Sequence, residues 1–265
     1  MKLSVIGLGN MGQALVRGFV REGLFQSSDL FFYDADVKKA TSFSSEVKGT
    51  VLDSIDGALD SDYILLAVKP QVIDSVLEDI SGKLRKDTIL ISIAAAVTIK
   101  RIRKLVGDSQ PLVRVMPNTP ALVGAGVSAL CFDLVSEERK DFVTKLFSSC
   151  GIAFSCTEPQ LDAIGSVSGT GPAYLMLVVE ALSDAAVKLG LPRDLSLQIA
   201  AATVYGAGKL ALESGFHPAV LKDQVCSPGG TTIEGVIALE KAGVRGAFIS
   251  AVEASDEKTK KMAGG

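Results

Sequence analysis

The chain has 265 residues, of which 48% are hydrophobic, and its 27 lysines and arginines against 30 aspartates and glutamates give a formal net charge of −3. Because nucleic-acid affinity depends largely on clustered cations, this balance argues against a nucleic-acid partner. The apolar content is enough for a sizeable core and excludes a largely disordered chain. The most apolar run stops at Lys69 and Pro70, so we predict neither a membrane span nor a signal peptide.

Histidine and cysteine usage restricts the chemistry further. His217 is the only histidine, so a Ser-His-Asp or Cys-His centre would have to be built around it. The four cysteines match no zinc-site spacing, and we predict no metal site and free thiols in a reducing cytoplasm. These cysteines are Cys131, Cys150, Cys156 and Cys226.

The first 158 residues alternate between strand and helix patterns. A buried strand over residues 2–7 runs into a glycine-rich turn and then into a helix over residues 13–22. A strand at Leu30–Tyr33 and a helix at Val37–Val47 follow, and further short apolar runs lie at 63–68, 88–93, 112–115 and 127–131. This rhythm predicts an α/β fold, a doubly wound and mostly parallel Rossmann sheet, as a dinucleotide-binding domain over residues 1–158.

Residues 159–265 carry only helical patterns, most clearly over 172–189 and 195–213. The first of these helices is apolar around most of its circumference, and such a helix requires burial on every side. A domain of this size encloses several such helices poorly. We therefore predict that residues 159–265 form an all-α dimerisation domain, in which a second subunit supplies the missing cover. The alternative is that the helices pack against the nucleotide domain alone.

The turn Gly7-Leu-Gly-Asn-Met-Gly12 matches the dinucleotide-binding fingerprint. Gly7 allows the tight turn, Gly9 lets the backbone approach a pyrophosphate, and Gly12 lets the helix pack closely on the sheet. Asn10 and Met11 open that helix, whose amides would face the phosphates. The alternative is a glycine turn without a ligand.

Asp34 ends the second strand, where a carboxylate accepts hydrogen bonds from the adenosine ribose and repels the 2′-phosphate of NADPH. Lys38 and Lys39 lie close by in the sequence and would compensate for that repulsion. Both NADH and NADPH are therefore candidate cofactors. The alternative is that Asp34 only caps the turn that follows it.

Two further segments follow predicted strands, at the sheet edge where doubly wound folds bind their ligands. They are Ala67-Val68-Lys69-Pro70 and Met116-Pro-Asn-Thr-Pro120, and their prolines make both of them rigid. We interpret Ala94, Ala95 and Asn118 as lining a nicotinamide pocket, with ordinary turn chemistry as the alternative. Lys69 either contacts an anionic group of the cofactor or substrate or is an exposed strand-end lysine.

A second candidate site lies at residues 227–234, Ser-Pro-Gly-Gly-Thr-Thr-Ile-Glu. Thr231 with Glu234 three positions later is a capping-box pattern. It predicts that Gly229, Gly230, Thr231 and Thr232 present backbone amides and two hydroxyls at the positive end of a helix. This end suits a substrate carboxylate, with a plain helix cap as the alternative. His217, followed by proline, is interpreted as a helix-start residue rather than a general acid.

Five motifs in order resemble the pyrroline-5-carboxylate reductase family over essentially the whole chain. The last is highly specific, whereas the first is shared by many dehydrogenases. They are Gly-Leu-Gly-Asn-Met-Gly at 7–12, Ala-Val-Lys-Pro at 67–70, Met-Pro-Asn-Thr-Pro at 116–120, Ser-Gly-Thr-Gly-Pro-Ala-Tyr at 168–174, and Leu-Lys-Asp-Gln-Val-Cys-Ser-Pro-Gly-Gly-Thr-Thr-Ile-Glu at 221–234.

The resemblance implies hydride transfer from NADH or NADPH to the C=N bond of L-1-pyrroline-5-carboxylate, giving L-proline in the last step of proline biosynthesis. It also implies that the amides of residues 230–232 hold the substrate carboxylate and that Thr232, the catalytic candidate, hydrogen-bonds the ring nitrogen. It further implies an interlocked homodimer, often built into a ring of dimers. The chain departs from the family at Ala96, where glycine is usual, and at Asp34, where small polar residues often accompany NADPH.

Two other function classes share part of this pattern. β-Hydroxyacid dehydrogenases open with a similar glycine turn, but they need a lysine on the helix after the loop at 165–171, and residues 172–187 contain none. A non-enzymatic dinucleotide-sensing protein would have no use for a second anion site. Oxidation of NAD(P)H in the presence of pyrroline-5-carboxylate distinguishes these three function classes, because we expect it only of the reductase.

Overall fold

A computed structural model describes residues 1–263 of the chain. The chain forms two compact units. One comprises Met1–Gly169 together with the described residues from Ser255 onward, and the other comprises Thr170–Ala254. The domain boundary expected after residue 158 stays a prediction.

One eight-stranded sheet forms the centre of the first unit. Its strands are β1 Leu3–Ile6, β2 Leu30–Tyr33, β3 Thr50–Val51, β4 Tyr63–Leu66, β5 Ile89–Ser92, β6 Leu112–Met116, β7 Gly126–Asp133 and β8 Gly151–Ser155. Their order is β3-β2-β1-β4-β5-β6-β7-β8, and every neighbouring pair is parallel except β6 with β7. The predicted doubly wound, mostly parallel Rossmann sheet is confirmed.

Helices pack on the sheet of the first unit. They are α1 Asn10–Arg21, α2 Val37–Val47, α3 Ile73–Ile80, α4 Ile99–Val106, α5 Glu137–Ser148 and α6 Glu158–Ile164, and a short π-helix at Gly165–Gly169 follows α6. Strands β1, β4 and β5 are buried along their whole length. Because both faces of these strands are buried, their sequences are continuous apolar runs and do not alternate between apolar and polar residues. Two large apolar clusters, one around Phe19 and the other around Ile73 and Leu77, and a small one around Leu161 form the core of the described residues.

The sequence patterns miss two strands, β3 and β8. Both lie at the edges of the sheet. Strand β3 has only two residues, and β8 leaves Ile152 and Phe154 exposed. An edge strand is covered by less protein, so its sequence carries a weaker apolar signal than a central strand.

The second unit is entirely helical, as predicted. It contains α7 Gly171–Lys188, α8 Arg193–Glu213, α9 Pro218–Val225, α10 Thr231–Lys241 and the first part of α11 Val244–Ala263. These helices bury little within the single chain: α7 buries only Ser183, and α8 buries Ser196 and Ala200. Helix α8 is also long and apolar enough to cross a membrane, a test that core helices of other proteins pass too. The expected absence of a membrane span stays a prediction.

Candidate active site

The glycine turn lies directly between β1 and α1. Gly7 has φ +94°, and a Cβ there would lie 2.8 Å from the backbone carbonyl of Ala67, so only glycine fits the turn. A Cβ at Gly12 would lie 2.8 Å from the Gly7 oxygen, which accounts for the close packing of α1 on the sheet. Around Gly9, by contrast, nothing lies within 4 Å of a Cβ position. The backbone at Gly9 is therefore open to an approaching ligand.

Helix α1 begins at Asn10, and Gly9 is its N-cap without a capping side chain. The first-turn amides, including those of Asn10 and Met11, thus need a partner from outside the helix. An anionic group fits this position because the positive end of the helix dipole adds to the hydrogen bonds. These residues fit the pyrophosphate of a dinucleotide.

Asp34 is hydrogen-bonded to the backbone on both sides. Its Oδ2 accepts from the Leu8 N–H at 2.7 Å and its Oδ1 from the Asp36 N–H at 2.9 Å. The Lys39 Nζ lies 3.8 Å from Oδ1. Asp34 therefore fastens the glycine turn and the following turn, as the alternative interpretation expected, while its contact with a ribose stays a prediction.

The other predicted cofactor residues lie at the carboxyl ends of neighbouring strands. Ala67 to Pro70 follow β4, and the Ala67 N–H donates to the Ile6 carbonyl at 2.8 Å, which places this segment beside the glycine turn. Ala94 and Ala95 follow the adjacent strand β5. Lys69 is exposed. The structure thus brings together residues from Gly7 to Ala95, 88 positions apart, at the sheet edge where such folds bind nucleotides.

Asn118 follows β6 and is buried. Its Nδ2 donates to the Ser168 carbonyl at 2.9 Å, and its Oδ1 accepts from the Val127 N–H at 2.8 Å. Both ends of the amide therefore hold the protein together, joining the loop after β6 to strand β7 and to the π-helix. Its expected contact with a nicotinamide stays a prediction.

A small cavity of about 60 Å³ lies beside Ala95 and Ala96 in the first unit. Ala96 has φ +60°, a left-handed conformation that costs a non-glycine residue about 1–2 kcal/mol. The sequence patterns did not identify Arg114, which also lines this cavity and is 2% exposed. A charged residue inside the apolar strand Leu112–Met116 was the signal that could have identified it.

The second candidate site belongs to the helical unit. The Gly230 N–H donates to the Ser227 carbonyl at 3.0 Å, and Gly229 has φ +67°. Proline followed by a glycine with positive φ is typical of a type II turn, which leads directly into α10.

The expected capping box at this helix is wrong. The N-cap of α10 is Gly230, Thr231 is its first residue, and Glu234 lies one position too late to complete the box. Because glycine has no side chain to cap the helix, the amides of Thr231 and Thr232 are left for another acceptor. Thr231 is exposed and Thr232 half-buried. The anion-binding interpretation of residues 229–232 rests on these amides and not on a capping carboxylate.

His217 is the N-cap of α9, where its Nδ1 accepts from the Ala219 N–H at 3.2 Å. This geometry agrees with the expected helix-start role. Within residues 1–263, no group of three histidine, cysteine or acidic side chains is arranged to hold a metal ion.

Comparison with known proteins decides the family. A model described as pyrroline-5-carboxylate reductase dimerisation matches residues 158–262, and one described as NADP oxidoreductase, coenzyme F420-dependent, matches residues 2–96. The pyrroline-5-carboxylate reductases of Pisum sativum and Escherichia coli K12 are each 39% identical to this chain and cover 98% of it, with 95% and 98% of their own lengths matched. The chain belongs to the pyrroline-5-carboxylate reductase family.

Solved structures of the family agree with this assignment. The pyrroline-5-carboxylate reductase of Coxiella burnetii superposes with a TM-score of 0.93 at 32% identity, covering 99% of this chain and 98% of its own. The Plasmodium falciparum enzyme, solved with NADP bound, gives a TM-score of 0.89 at 37% identity, with the same coverage. For this chain the family assignment supports an oxidoreductase that uses NAD(P)H.

Replacing Asp34 with asparagine should shift the cofactor preference toward NADPH. The change removes a negative charge near the expected 2′-phosphate and leaves Lys39 in place, so the ratio of the Kd values for NADH and NADPH should rise on the order of tenfold. Nicotinamide fluorescence titration measures both values, and Asp36→Asn, which alters the neighbouring carboxylate, is the control. An unchanged ratio would remove Asp34 from cofactor selection.

The buried thiols should react slowly. Burial raises the pKa of the Cys131 thiol to about 11, and it also raises the pKa values of Cys150 and Cys156. Only the thiolate is alkylated, so Cys131 at pH 8 should react about a hundredfold more slowly than an ordinary cysteine. Because its folded pKa lies above its unfolded one, ionisation of Cys131 should also destabilise the fold as the pH rises from about 9 to 11.

Mass-spectrometric mapping after brief iodoacetamide treatment tests this order of reaction. Cys226, which is less buried, should be labelled first, and Cys131 should be labelled much more slowly in the native protein than after unfolding. Equal labelling of Cys131 and Cys226 in the native protein would contradict the assigned burial.

Proposed function

We propose that this chain reduces L-1-pyrroline-5-carboxylate to L-proline with NAD(P)H, the last step of proline biosynthesis. The observation that carries the proposal is the start of α10, where Gly230 leaves the first amides uncapped beside the hydroxyls of Thr231 and Thr232. A helix end of this kind suits a small carboxylate. The glycine turn after β1 provides the second requirement, a place for the dinucleotide.

The reaction needs little from the protein beyond positioning. Bound NAD(P)H supplies a hydride to the imine carbon, which becomes a good acceptor when the ring nitrogen is protonated. The electron pair of the C=N π bond passes to nitrogen, which keeps its proton in the product amine. The Gly230 N–H is already bonded to Ser227, so the amides of Thr231 and Thr232 hold the carboxylate and keep the ring from sliding. The Thr232 hydroxyl hydrogen-bonds the nitrogen and orients it.

The apolar surface of the helical unit supports a homodimer. Met176 and Leu177 of α7 are each 65% exposed within the single chain, and Leu212 of α8 is 73% exposed. Several large apolar side chains exposed on two helices of one unit favour an interface there. The family's dimerisation model covers the same region. We also propose that these dimers assemble into a ring. We further propose that the protein has no membrane span and is located in the cytoplasm.

The test is to mix the purified protein with pyrroline-5-carboxylate and follow NAD(P)H absorbance. Loss of absorbance with formation of proline is the expected result. Oxidation of β-hydroxyacids with NAD(P)⁺ instead would favour the β-hydroxyacid dehydrogenase alternative, against which stands the absence of lysine from residues 172–187. Tight NAD(P)H binding with no turnover would favour a dinucleotide-sensing protein. Running the assay once with NADH and once with NADPH also establishes which of the two cofactors the protein prefers.

A further inference from the structure

A buried arginine lies under the loop that follows β5. The Arg114 side chain is 2% exposed and contacts two carboxylates of α6: its Nη1 donates to Glu158 Oε1 at 2.9 Å, and its Nη2 donates to Asp162 Oδ1 at 2.7 Å. A guanidinium holds two acceptors in a fixed direction because its donors are arranged in a rigid plane. Arg114 thus holds the Oε1 atom of Glu158 in place relative to Asp162.

The same Glu158 oxygen reaches the loop after β5. Glu158 Oε1 also accepts from the Ile99 N–H at 2.8 Å, at the first residue of α4. Carboxylates are favourable at a helix amino end. Residues 93–98 therefore run between two fixed points, β5 at one end and the Glu158 hydrogen bond at the other. The loop includes Ala96 in its left-handed conformation.

Three observations connect this network with the expected nicotinamide position. Ala95 and Ala96 share the small cavity with Arg114 and Asp162. Ala95 is exposed and follows β5 at the ligand-binding edge of the sheet. The left-handed conformation at Ala96 persists only if its surroundings impose it, and the Glu158 hydrogen bond at Ile99 is one such restraint.

We propose that Arg114 and Glu158 are positioning residues for hydride transfer. The buried Arg114 holds Glu158 against the Ile99 amide and thereby fixes the 93–98 loop, against which the nicotinamide packs. The inference rests on the proposed function, because it assigns a nicotinamide to that loop. Neither residue is proposed to contact the substrate.

The decisive variant is Glu158→Ala, which removes the acceptor of the Ile99 N–H. Displacing a bound reactant by about 1 Å can cost on the order of a hundredfold in rate, so kcat should fall roughly 10- to 100-fold. The deuterium isotope effect with C4-deuterated cofactor should rise, because hydride transfer becomes more nearly rate-limiting. Glu158→Gln keeps an oxygen at the same place and should restore most of the activity.

Binding provides a readout that does not depend on turnover. ADP-ribose contains the part of NADH that the glycine turn holds but lacks the nicotinamide. In the Glu158→Ala variant, the Kd for ADP-ribose should stay within about twofold of the wild-type value, whereas the Kd for NADH should rise several-fold. An equal loss of affinity for NADH and for ADP-ribose would indicate general damage to the domain and would overturn the inference.

Asp133→Ala is the matched control. The Asp133 carboxylate also pairs with an arginine, Arg103, whose Nε lies 2.7 Å away and whose side chain is 15% exposed. The Asp133 side chain is 32% exposed against 28% for Glu158. Its ion pair joins β7 to Arg103 inside α4, whereas Glu158 bonds the first amide of α4, next to the 93–98 loop. Its loss should lower Tm while leaving kcat and the NADH Kd unchanged. If Glu158→Ala and Asp133→Ala have a similar kcat, the contacts of Arg114 with Glu158 only stabilise the fold and do not position the nicotinamide.

Failure of the proposed function would be recognised separately. If the wild-type protein does not oxidise NAD(P)H with pyrroline-5-carboxylate, the function is wrong, and the comparison of NADH with ADP-ribose still decides whether the loop binds a nicotinamide. If the wild type is active and Glu158→Ala keeps wild-type kcat, isotope effect and NADH Kd, the positioning role is wrong and the function stands.

Discussion

Replacing Thr232 with alanine should lower kcat about ten- to a thousandfold and leave the Kd for NAD(P)H unchanged. Thr232 is half-buried in the first turn of α10, in the helical unit, whereas the glycine turn that would hold the dinucleotide lies in the other unit. A neutral hydroxyl is a weak acid, so its contribution is limited to orienting the ring nitrogen and assisting its protonation. Steady-state kinetics and fluorescence titration measure the two effects.

Thr231→Ala is the control for this change. It removes an identical hydroxyl one position earlier on the same helix, where the side chain is exposed. Its kcat should stay within about threefold of wild type, because both variants retain the backbone amides expected to hold the carboxylate. A Thr232→Ala enzyme with wild-type kcat would remove Thr232 from the mechanism and leave the amides as the whole of the substrate site.

Much of the nucleotide-binding unit was predictable because its signals are local. Gly7 is required by the positive φ of a turn that follows a buried strand, and that requirement is visible in the sequence as strand, glycines and helix. The helix Val37–Val47 begins and ends at its predicted residues. Strands buried on both faces appear as short apolar runs, so their order along the chain already indicates a doubly wound sheet.

The less predictable features depend on partners distant in the sequence. Both oxygens of Asp34 accept backbone N–H groups, one of them from Leu8, 26 positions away, while its contact with a ribose stays a prediction. The partner of Arg114, Glu158, lies 44 positions further on. The spacing of these residues in the sequence does not indicate that they pair, because only the folded sheet brings them into contact.

The capping error at α10 has a different cause. The Thr231 to Glu234 spacing matches a capping box, but the Ser227–Gly230 turn makes Gly230 the N-cap, so the helix begins one residue earlier, at Thr231. Helix boundaries are set within one or two residues by such turn geometry. The shift strengthens the functional interpretation, since a glycine cap leaves amides available that a threonine cap would occupy.

Replacing Leu177 with glutamate should dissociate the proposed dimer. Leu177 lies on α7, which is apolar around most of its surface, and is 65% exposed in the single chain. Burying a leucine contributes about 2 kcal/mol, and a symmetric interface loses it twice, so the dimer Kd should rise about a thousandfold. Sedimentation velocity at micromolar concentration measures the change.

Val37→Glu is the matched control for the dimer. Val37 is 66% exposed, on helix α2 of the nucleotide-binding unit, and receives the same charge. Its sedimentation coefficient should equal that of the wild type, because a glutamate in the first turn of a helix is tolerated at a solvent-exposed position. A monomeric wild-type protein, or a Leu177→Glu variant that keeps the wild-type mass, would mean that the apolar face of α7 is covered in another way. The proposed homodimer would then be wrong, whereas the assignment of the chain to its family would not change.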